Sequence, residues 1–591
     1  MKFLAMIKDR LKSISHTWIR FPFVFVLLCA TAVFASINIE TNTDKSPEIL
    51  TLILGVFMST AMTMAFEKRP RHVMWLFISQ AVVLGLTAAY YFLVMADYDG
   101  SLADVLRIVI LCFALIFISL WIPCLRWKTD FNDFFMTFFK AFFTTVFFIA
   151  IIWGGIALVL SAINLLLFRL PDNLTGHVAA WIWIFFAPML FLSLIPVFGG
   201  TEEDLEKQEH LAKIPAFFRA LLTYVLIPLT AIYTLVLLAY LGKTLVGGDE
   251  GDLLRPLILA YCIVVIFLYV LVSKIEHKIA VWFRLIAPKL MALIALYQVV
   301  NLILRITDEG IVYGRYFVIL FGIFSVAAGV LISFLPLKKN VVLAIVLTGF
   351  ALVSVTPPVD AFTISTGSQV RIVEQILMDN NMVKDGVIVP NKDLSENDKE
   401  LITNAMQYLY DIKETDRISG IPDRFDMYAD FQNVFGFSPF YPDNGYENPD
   451  YTSTFYSLDS SQAIEVGTYE YMVSVSANKG GSSDQKFTAA TITDNATDYY
   501  AVISYPDDQL NLSLQDQNGK DLISASLKDM IDSLADKSTG EGKEMLPPDV
   551  MTFDVDGDGA SVRIVFQYAS VYEDGTNMTY DSNMYLFVNI D

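Results

Sequence analysis

The chain has 591 residues, 55% of them hydrophobic, and a formal charge of −21, with a mean hydropathy of +0.51. Lys and Arg number 27 against 22 Asp and Glu in residues 1–357, but 14 against 40 in residues 358–591. Such a division excludes a single soluble domain, and the acidic part repels nucleic acid and anionic headgroups, leaving cations, basic peptides or neutral polymers as partners, or solubility as its whole purpose.

Apolar stretches of membrane-spanning length fall at 21–39, 49–66, 73–95, 105–125, 141–168, 178–198, 216–241, 253–273, 285–304, 316–337 and 340–356. A run of about 20 apolar residues crosses a hydrocarbon core of about 30 Å as a helix, because a helix satisfies its own backbone hydrogen bonds where water is absent. The basic start followed by Val33-Phe34-Ala35 also has the form of a cleavable secretory signal. The apolar run continues to Ile39, so an uncleaved first helix is the preferred reading. The stretch 141–168 is long enough to tilt or to begin along the membrane surface. Pro188 and Pro228 either break or kink their helices, and Lys289 beside Pro288 snorkels to the interface.

With the N-terminus inside, loops on the inner side hold 20 Lys and Arg, against 7 on the outer side, among them Lys45, Arg107, Arg255, Arg305 and Arg315. Basic residues favour the cytoplasmic side, and eleven crossings then place the C-terminal part outside. Within the ninth span Gln298, Asn301 and Arg305 follow one helix face and lead to Asp308, Glu309, Arg315 and Tyr316. Polar groups inside a bilayer line a pathway or site, or hold helices together at about 1 kcal/mol each. Charge pairing among Arg305, Asp308, Glu309 and Arg315 is expected to close the outer mouth of the bundle, or the arginines hold an anionic group.

Pro357-Pro358 ends the last span, since proline restricts its neighbour and cannot donate a helical hydrogen bond. The pattern beyond predicts helices over 366–379, 396–412 with Ser395 as N-cap, and 525–536, with strands around 469–475, 561–570 and 583–590. The fold class is therefore a membrane all-α helical bundle of about eleven transmembrane helices (residues 1–357) followed by an acidic extracytoplasmic α+β domain (residues 358–591).

Asp554-Val555-Asp556-Gly557-Asp558-Gly559 matches the first half of a calcium loop, with carboxylates at positions 1, 3 and 5 and the turn glycine at 6. Val565 stands where a bidentate Glu is expected, and the same residues form a good hairpin turn, so calcium and a structural turn both remain open. No other cofactor is expected. The four cysteines, Cys29, Cys112, Cys124 and Cys262, lie in or beside spans, which leaves the exposed domain without disulfides and suggests a bacterium that does not staple its surface proteins. Neither the zinc-protease His-Glu-x-x-His, nor the phosphate-binding Gly-x-x-x-x-Gly-Lys-Ser/Thr, nor the Gly-x-Ser-x-Gly elbow occurs, so no catalytic residues are assigned and an enzyme is disfavoured.

Ile214-Pro215, Tyr224 to Leu229, Ile232-Tyr233, Tyr240-Leu241, Trp282-Phe283, Arg305-Ile306 and Tyr313-Gly314-Arg315-Tyr316-Phe317 together resemble a family of bacterial polytopic membrane proteins, the DUF4153-like group. Gly467-Thr468-Tyr469-Glu470-Tyr471 is similar to an ectodomain motif of some members. The resemblance implies location and architecture, and carries no activity. Three functions follow as expectations: a cell-envelope sensor or assembly component that binds an envelope protein or surface polymer, a transporter or channel using the polar face at 298–305, or a membrane enzyme acting on lipid-linked substrates.

Overall fold

A computed structural model of the protein describes residues 17–590 apart from 42, 68–71, 97, 99, 128, 172, 198–201, 246–253, 385, 423–424, 428–429, 438, 442–450, 460–461, 479–485, 495–496, 506–509, 536–542 and 575–576. The chain divides into two compact units, Met1–Phe440 and Tyr441–Asp591. This division lies beyond the Pro357-Pro358 boundary read from sequence, because the first helices after the spans pack on the bundle.

In chain order the first unit contains α1 (Pro22–Thr41), α2 (Ser46–Phe66), α3 (Val73–Met95), α4 (Leu102–Trp127), α5 (Phe131–Leu166) and α6 (Leu174–Leu194). It continues with α7 (Glu202–Ala212), α8 (Ala216–Thr244), α9 (Leu254–Leu271), α10 (Lys278–Glu309), α11 (Tyr313–Phe334) and α12 (Val341–Val353). Among the described residues ten helices are long and apolar enough to cross a membrane.

The eleventh expected span, α12, has only 13 helical residues. Its contacts nevertheless carry it along the whole of α4. Asn340 before it donates to Asn132 Oδ1 at 2.7 Å, and Asn132 donates to Leu337 O, just past the C-terminal end of α4. Trp121 Nε1 donates to Thr348 halfway along. Asp360, after it, pairs with Arg107 in the first turns of α4. Helical turns at Val355 and Thr356 extend the path beyond the regular helix.

Among the described residues, the following pairs at each end of the bundle join loops assigned to the same side by charge. At the basic end Arg20 holds Glu67 at 2.6 Å and the carbonyls of Ile195 and Pro196, and Lys274 holds Asp133 at 2.5 Å. At the opposite end His177 meets Glu40 at 3.1 Å, and Arg107 meets Asp360. Pairing within each end is what complete crossings of the helices between them require.

Pro188 and Pro228 break neither helix. A π-helical turn at Trp181–Phe186 precedes the first and another at Leu222–Leu226 precedes the second, and a widened turn relieves the clash between a proline ring and the carbonyl four residues back. At 36 residues α5 is about 54 Å long, well beyond the hydrocarbon thickness. It begins ten residues before the expected span, where Asp130 accepts from Asn132 N.

Close helix contact holds α10 to α11. A Cβ at Gly322 would lie 2.5 Å from Val299 Cγ2, and one at Gly329 would lie 2.7 Å from both Ala292 Cβ and Pro288 O. Lipid tails are as apolar as leucine, so helices in a bilayer associate through such van der Waals fit rather than by leaving water.

Past the spans come α13 (Ala361–Asp379), the hairpin β1 (Val383–Lys384) and β2 (Val387–Ile388), α14 (Glu396–Asp411) and α15 (Phe431–Phe435). Helix α13 starts five residues earlier than its apolar periodicity indicates, because Asp360 caps it, whereas α14 begins after its expected cap, Ser395 accepting from Asp398 N at 3.1 Å. Val373, Leu377, Ile402, Met406, Leu409, Phe431 and Phe435 form their core.

In the second unit the strands are β3 (Tyr451–Leu458), β4 (Tyr471–Asn478), β5 (Lys486–Asp494), β6 (Thr497–Ser504), β7 (Asn511–Gln515) and β8 (Asp521–Ser526), followed by α16 (Leu527–Ala535). The chain ends with β9 (Lys543–Leu546), β10 (Thr552–Asp556), β11 (Ala560–Asp574) and β12 (Asn577–Ile590). One sheet has the order β4-β12-β11-β3-β9 with β10 also on β11, and the other has β5-β6-β7-β8. Both sheets and α16 bury a common core that includes Ile523, Leu527, Ile531, Ile564, Phe566, Met584 and Leu586.

Gly322→Val and Gly329→Val are expected to lower the melting temperature in detergent, each by an amount corresponding to about 1–3 kcal/mol of overpacking. Gly349→Ala, where nothing lies within 4 Å of the added carbon, should leave it unchanged. Equal effects at all three positions would contradict the close α10–α11 contact.

Candidate functional site where the chain leaves the spanning helices

Asp360 sits at the point where the chain passes from α12 to α13, with its side chain wholly buried. Its Oδ1 accepts from the amides of Phe362 at 3.1 Å and Thr363 at 3.2 Å, satisfying donors that the first turn of any helix leaves free. Arg107 reaches the same oxygen at 3.5 Å and Asp104 Oδ1 at 3.5 Å, while its guanidinium lies 5.2 Å from the Phe362 ring centre. The second oxygen, Oδ2, is buried with no donor among the described residues. Burial alone would raise the Asp360 carboxyl, but the Thr363 hydrogen bonds, the Arg107 charge and the Phe362 amide outweigh it and hold the group below the usual carboxylate range.

Around this pair the joint between α11 and α13 is polar and aromatic. Ser368 Oγ accepts from Ile311 N, and Gln369 Nε2 donates to Ile311 O at 3.0 Å. Tyr408 of α14 accepts from Tyr313 N and lies 2.6 Å from Ser365 Oγ. Tyr313 packs its ring against both Phe362 and Tyr408, at 5.6 and 5.8 Å between centres. Gly310 is required here: its φ of +71° is in the left-handed region, and a side chain there would collide with Ile372 and crowd Gln369.

The residues singled out from sequence are distributed unevenly. Gln298 is buried and donates to Arg255 O at 3.1 Å, which holds α10 to α9 as interhelical glue would. Asn301 is half-buried. Arg315 donates to Gly310 O at 2.9 Å, capping α10, and Tyr316 donates to Val359 O at 2.5 Å. Side chains of Arg305, Asp308 and Glu309 lie outside the described residues, so their expected pairing does too. Arg107 and Asp360, 253 positions apart, were not joined by any local sequence pattern. The available signal was an N-cap Asp two residues after a double proline, together with an Arg on the side where basic residues are scarce.

In the second unit Asp554, Asp556 and Asp558 lie on the hairpin between β10 and β11, with Asp556 opposite Ser561. Arg563 grips Asp554 through two bonds of 2.7 and 2.8 Å, and Lys520 pairs with Asp558 at 2.8 Å. Gly557 is set against β8: an added Cβ would collide with the Leu522 carbonyl, and Asp558 N donates to that same oxygen. Close backbone contact thus explains a glycine that a calcium loop would also require. Among the described residues no three His, Cys, Asp or Glu side chains are grouped to hold a metal. A calcium ion at this hairpin would have to compete with Arg563 and Lys520.

The family model of DUF4153, a domain of unknown function, matches residues 23–383. The chain belongs to the DUF4153 family. The DUF4153 region takes in the spanning helices, α13 and both members of the Arg107–Asp360 pair, and stops in the β1–β2 hairpin, so the second unit lies outside it. No curated protein and no solved structure matches the chain.

Removing Arg107 should leave a buried carboxylate without its cation, so Arg107→Ala is expected to cost about 3 kcal/mol, the low end for a buried pair because Arg107 keeps some water contact. Asp360→Ala should cost more than Asp360→Asn, which preserves the cap. The folded carboxyl titrates below its unfolded value of about 3.9, so its stabilisation is complete above that pH and disappears as pH falls through the folded value. The gap in melting temperature between wild type and Asp360→Asn should therefore narrow in acid, and a constant gap would contradict the ionised pair.

The second unit has its own core, and the fragment 441–591 is expected to melt cooperatively. Millimolar calcium should leave its melting temperature unchanged. A rise that disappears in Asp556→Ala would place calcium at the hairpin, since a ligand selective for the folded state must stabilise it.

Proposed function

We propose that this DUF4153 protein is a non-enzymatic sensor or assembly component of a bacterial cell envelope, with the acidic second unit outside the cytoplasm and available to an envelope protein or surface polymer. The observation that carries this reading is the joint at Arg107–Asp360. The chain does not leave the spanning helices through a loose tether. It turns into α13 under a buried ion pair, a cap and a cluster of four aromatic rings. A tether is enough to hold a domain near a membrane, whereas a packed joint couples the helices that follow to the spanning bundle.

The polar groups within the bundle support this reading over a transporter. Gln80 bonds Ser59 and Thr63, Tyr261 bonds Thr234, Tyr297 meets Thr244 and Gln298 bonds Arg255 O. Each pairing links neighbouring helices, and each uses donors and acceptors that a hydrophilic pathway would offer to its substrate.

Orientation is the first requirement of the proposal. With Cys29, Cys112, Cys124 and Cys262 replaced, Asn518→Cys in an exposed turn should react with a membrane-impermeant maleimide in intact cells, and Glu209→Cys on α7 only after permeabilisation. Glu209 is the better probe than its neighbour Gln208, which is buried against Thr129. Labelling of Glu209→Cys alone in intact cells would reverse the topology and end the proposal.

A further inference from the structure

Two apolar cavities of about 320 and 250 Å³ lie among α4, α9, α11 and α12, the larger also lined by Phe131 and Phe135 at the start of α5. They share Phe113, Ile263, Phe321, Phe324 and Leu347, so they form one continuous groove. Along α12 it runs from Leu343 to Ser354, which at a helical rise of about 1.5 Å per residue is about 16 Å. That is close to the hydrocarbon depth of one leaflet, half of about 30 Å. Water has nothing to bond to in such a groove, and an unfilled one would forfeit contacts with every side chain along it.

One end of the groove leads to the polar joint. Ile110 at this end is one helical turn from Arg107 on α4, and Phe317 lines the groove while meeting the Phe362 ring edge-on at 6.5 Å between centres. Arg107 rests over that same Phe362 ring. The groove rim therefore presents one guanidinium and one carboxylate, the partly exposed Arg107 and Asp104, with Asp360 buried behind them.

We propose that the groove holds one acyl chain of a phospholipid with a primary-ammonium zwitterionic headgroup. Chain length fixes the first part of the assignment. The mixed charge of the rim fixes the second: a phosphate meets Arg107, and the ammonium meets Asp104, a carboxylate that would repel a purely anionic head. This inference is independent of the function proposed above, because it requires neither a second-unit partner nor a particular orientation of the termini.

The test uses the full chain reconstituted in vesicles containing a trace of phosphatidylethanolamine with a photoreactive diazirine in one acyl chain. Cross-links mapped by mass spectrometry should concentrate on Phe113, Ile263, Phe321 and Leu347, several-fold above lipid-facing positions such as Phe147 and Leu165. Two variants that fill the groove, Leu347→Trp and Val318→Trp, should each reduce that labelling several-fold while retaining a cooperative melt. In detergent, phosphatidylethanolamine should raise the melting temperature more than phosphatidylglycerol with the same chains. Even labelling of groove and lipid-facing positions would overturn the groove as a lipid site. Groove labelling with an equal or larger effect of phosphatidylglycerol would overturn the headgroup assignment.

Discussion

Asp360 is buried against two helix-start amides and Arg107, and the positions of α13 and α14 depend on that cluster. A carboxylate buried without such partners would be strongly disfavoured, so the side chain can be where it is only if α13 begins at Ala361 and α4 presents Arg107 at the same level. The same requirement sets the direction of α12. Thirteen helical residues would be short for an independent span, but Asn340 is bound at one end of α4 and Asp360 at the other. The intervening turns complete the distance.

The bundle itself is organised by two rules that operate in different places. Between its ends, helix pairs approach through small residues, as where Gly322 and Gly329 admit Val299, Ala292 and Pro288. At its ends, charged and polar side chains bond loops to loops, Arg20 to Glu67 and Lys274 to Asp133 on one side and Arg107 to Asp360 on the other. Packing sets which helices touch, and the end pairs set their register along the membrane normal. The second unit follows neither rule: it has its own apolar core, and Arg563 and Lys520 pair with two of the three aspartates of its acidic hairpin.

Much of this was legible in the sequence because membrane spans are long and uniform. The ten spanning helices correspond to expected stretches, and Ser395 and the strands of the last 30 residues were readable from local periodicity. What local reading missed has identifiable causes. The first turns of α5 combine Phe-rich sequence with Asn132, Asp133 and Lys140, so hydropathy alone starts the span too late. Helix α13 hides its beginning behind Ala361, Phe362 and Thr363, whose helicity comes from the Asp360 cap rather than from a repeating apolar face. The π turns ahead of Pro188 and Pro228 are tertiary accommodations of a local conflict. At the candidate site the expected cluster at 298–316 was close to the joint in sequence, since Tyr313 and Tyr316 belong to it, but the central pair joins positions 107 and 360. No window along the chain contains both.

The central claim is that the Arg107–Asp360 pair ties α13 and α14 to the spanning bundle. Hydrogen exchange on full-length protein in nanodiscs, comparing wild type with Asp360→Ala, tests it most directly. The account predicts faster exchange together in the amides of 311–316, 361–379 and 396–411, with α1, α2 and the β11–β12 pair unchanged. Faster exchange confined to the first turn of α13, with α14 and Tyr313 as protected as in wild type, would contradict it.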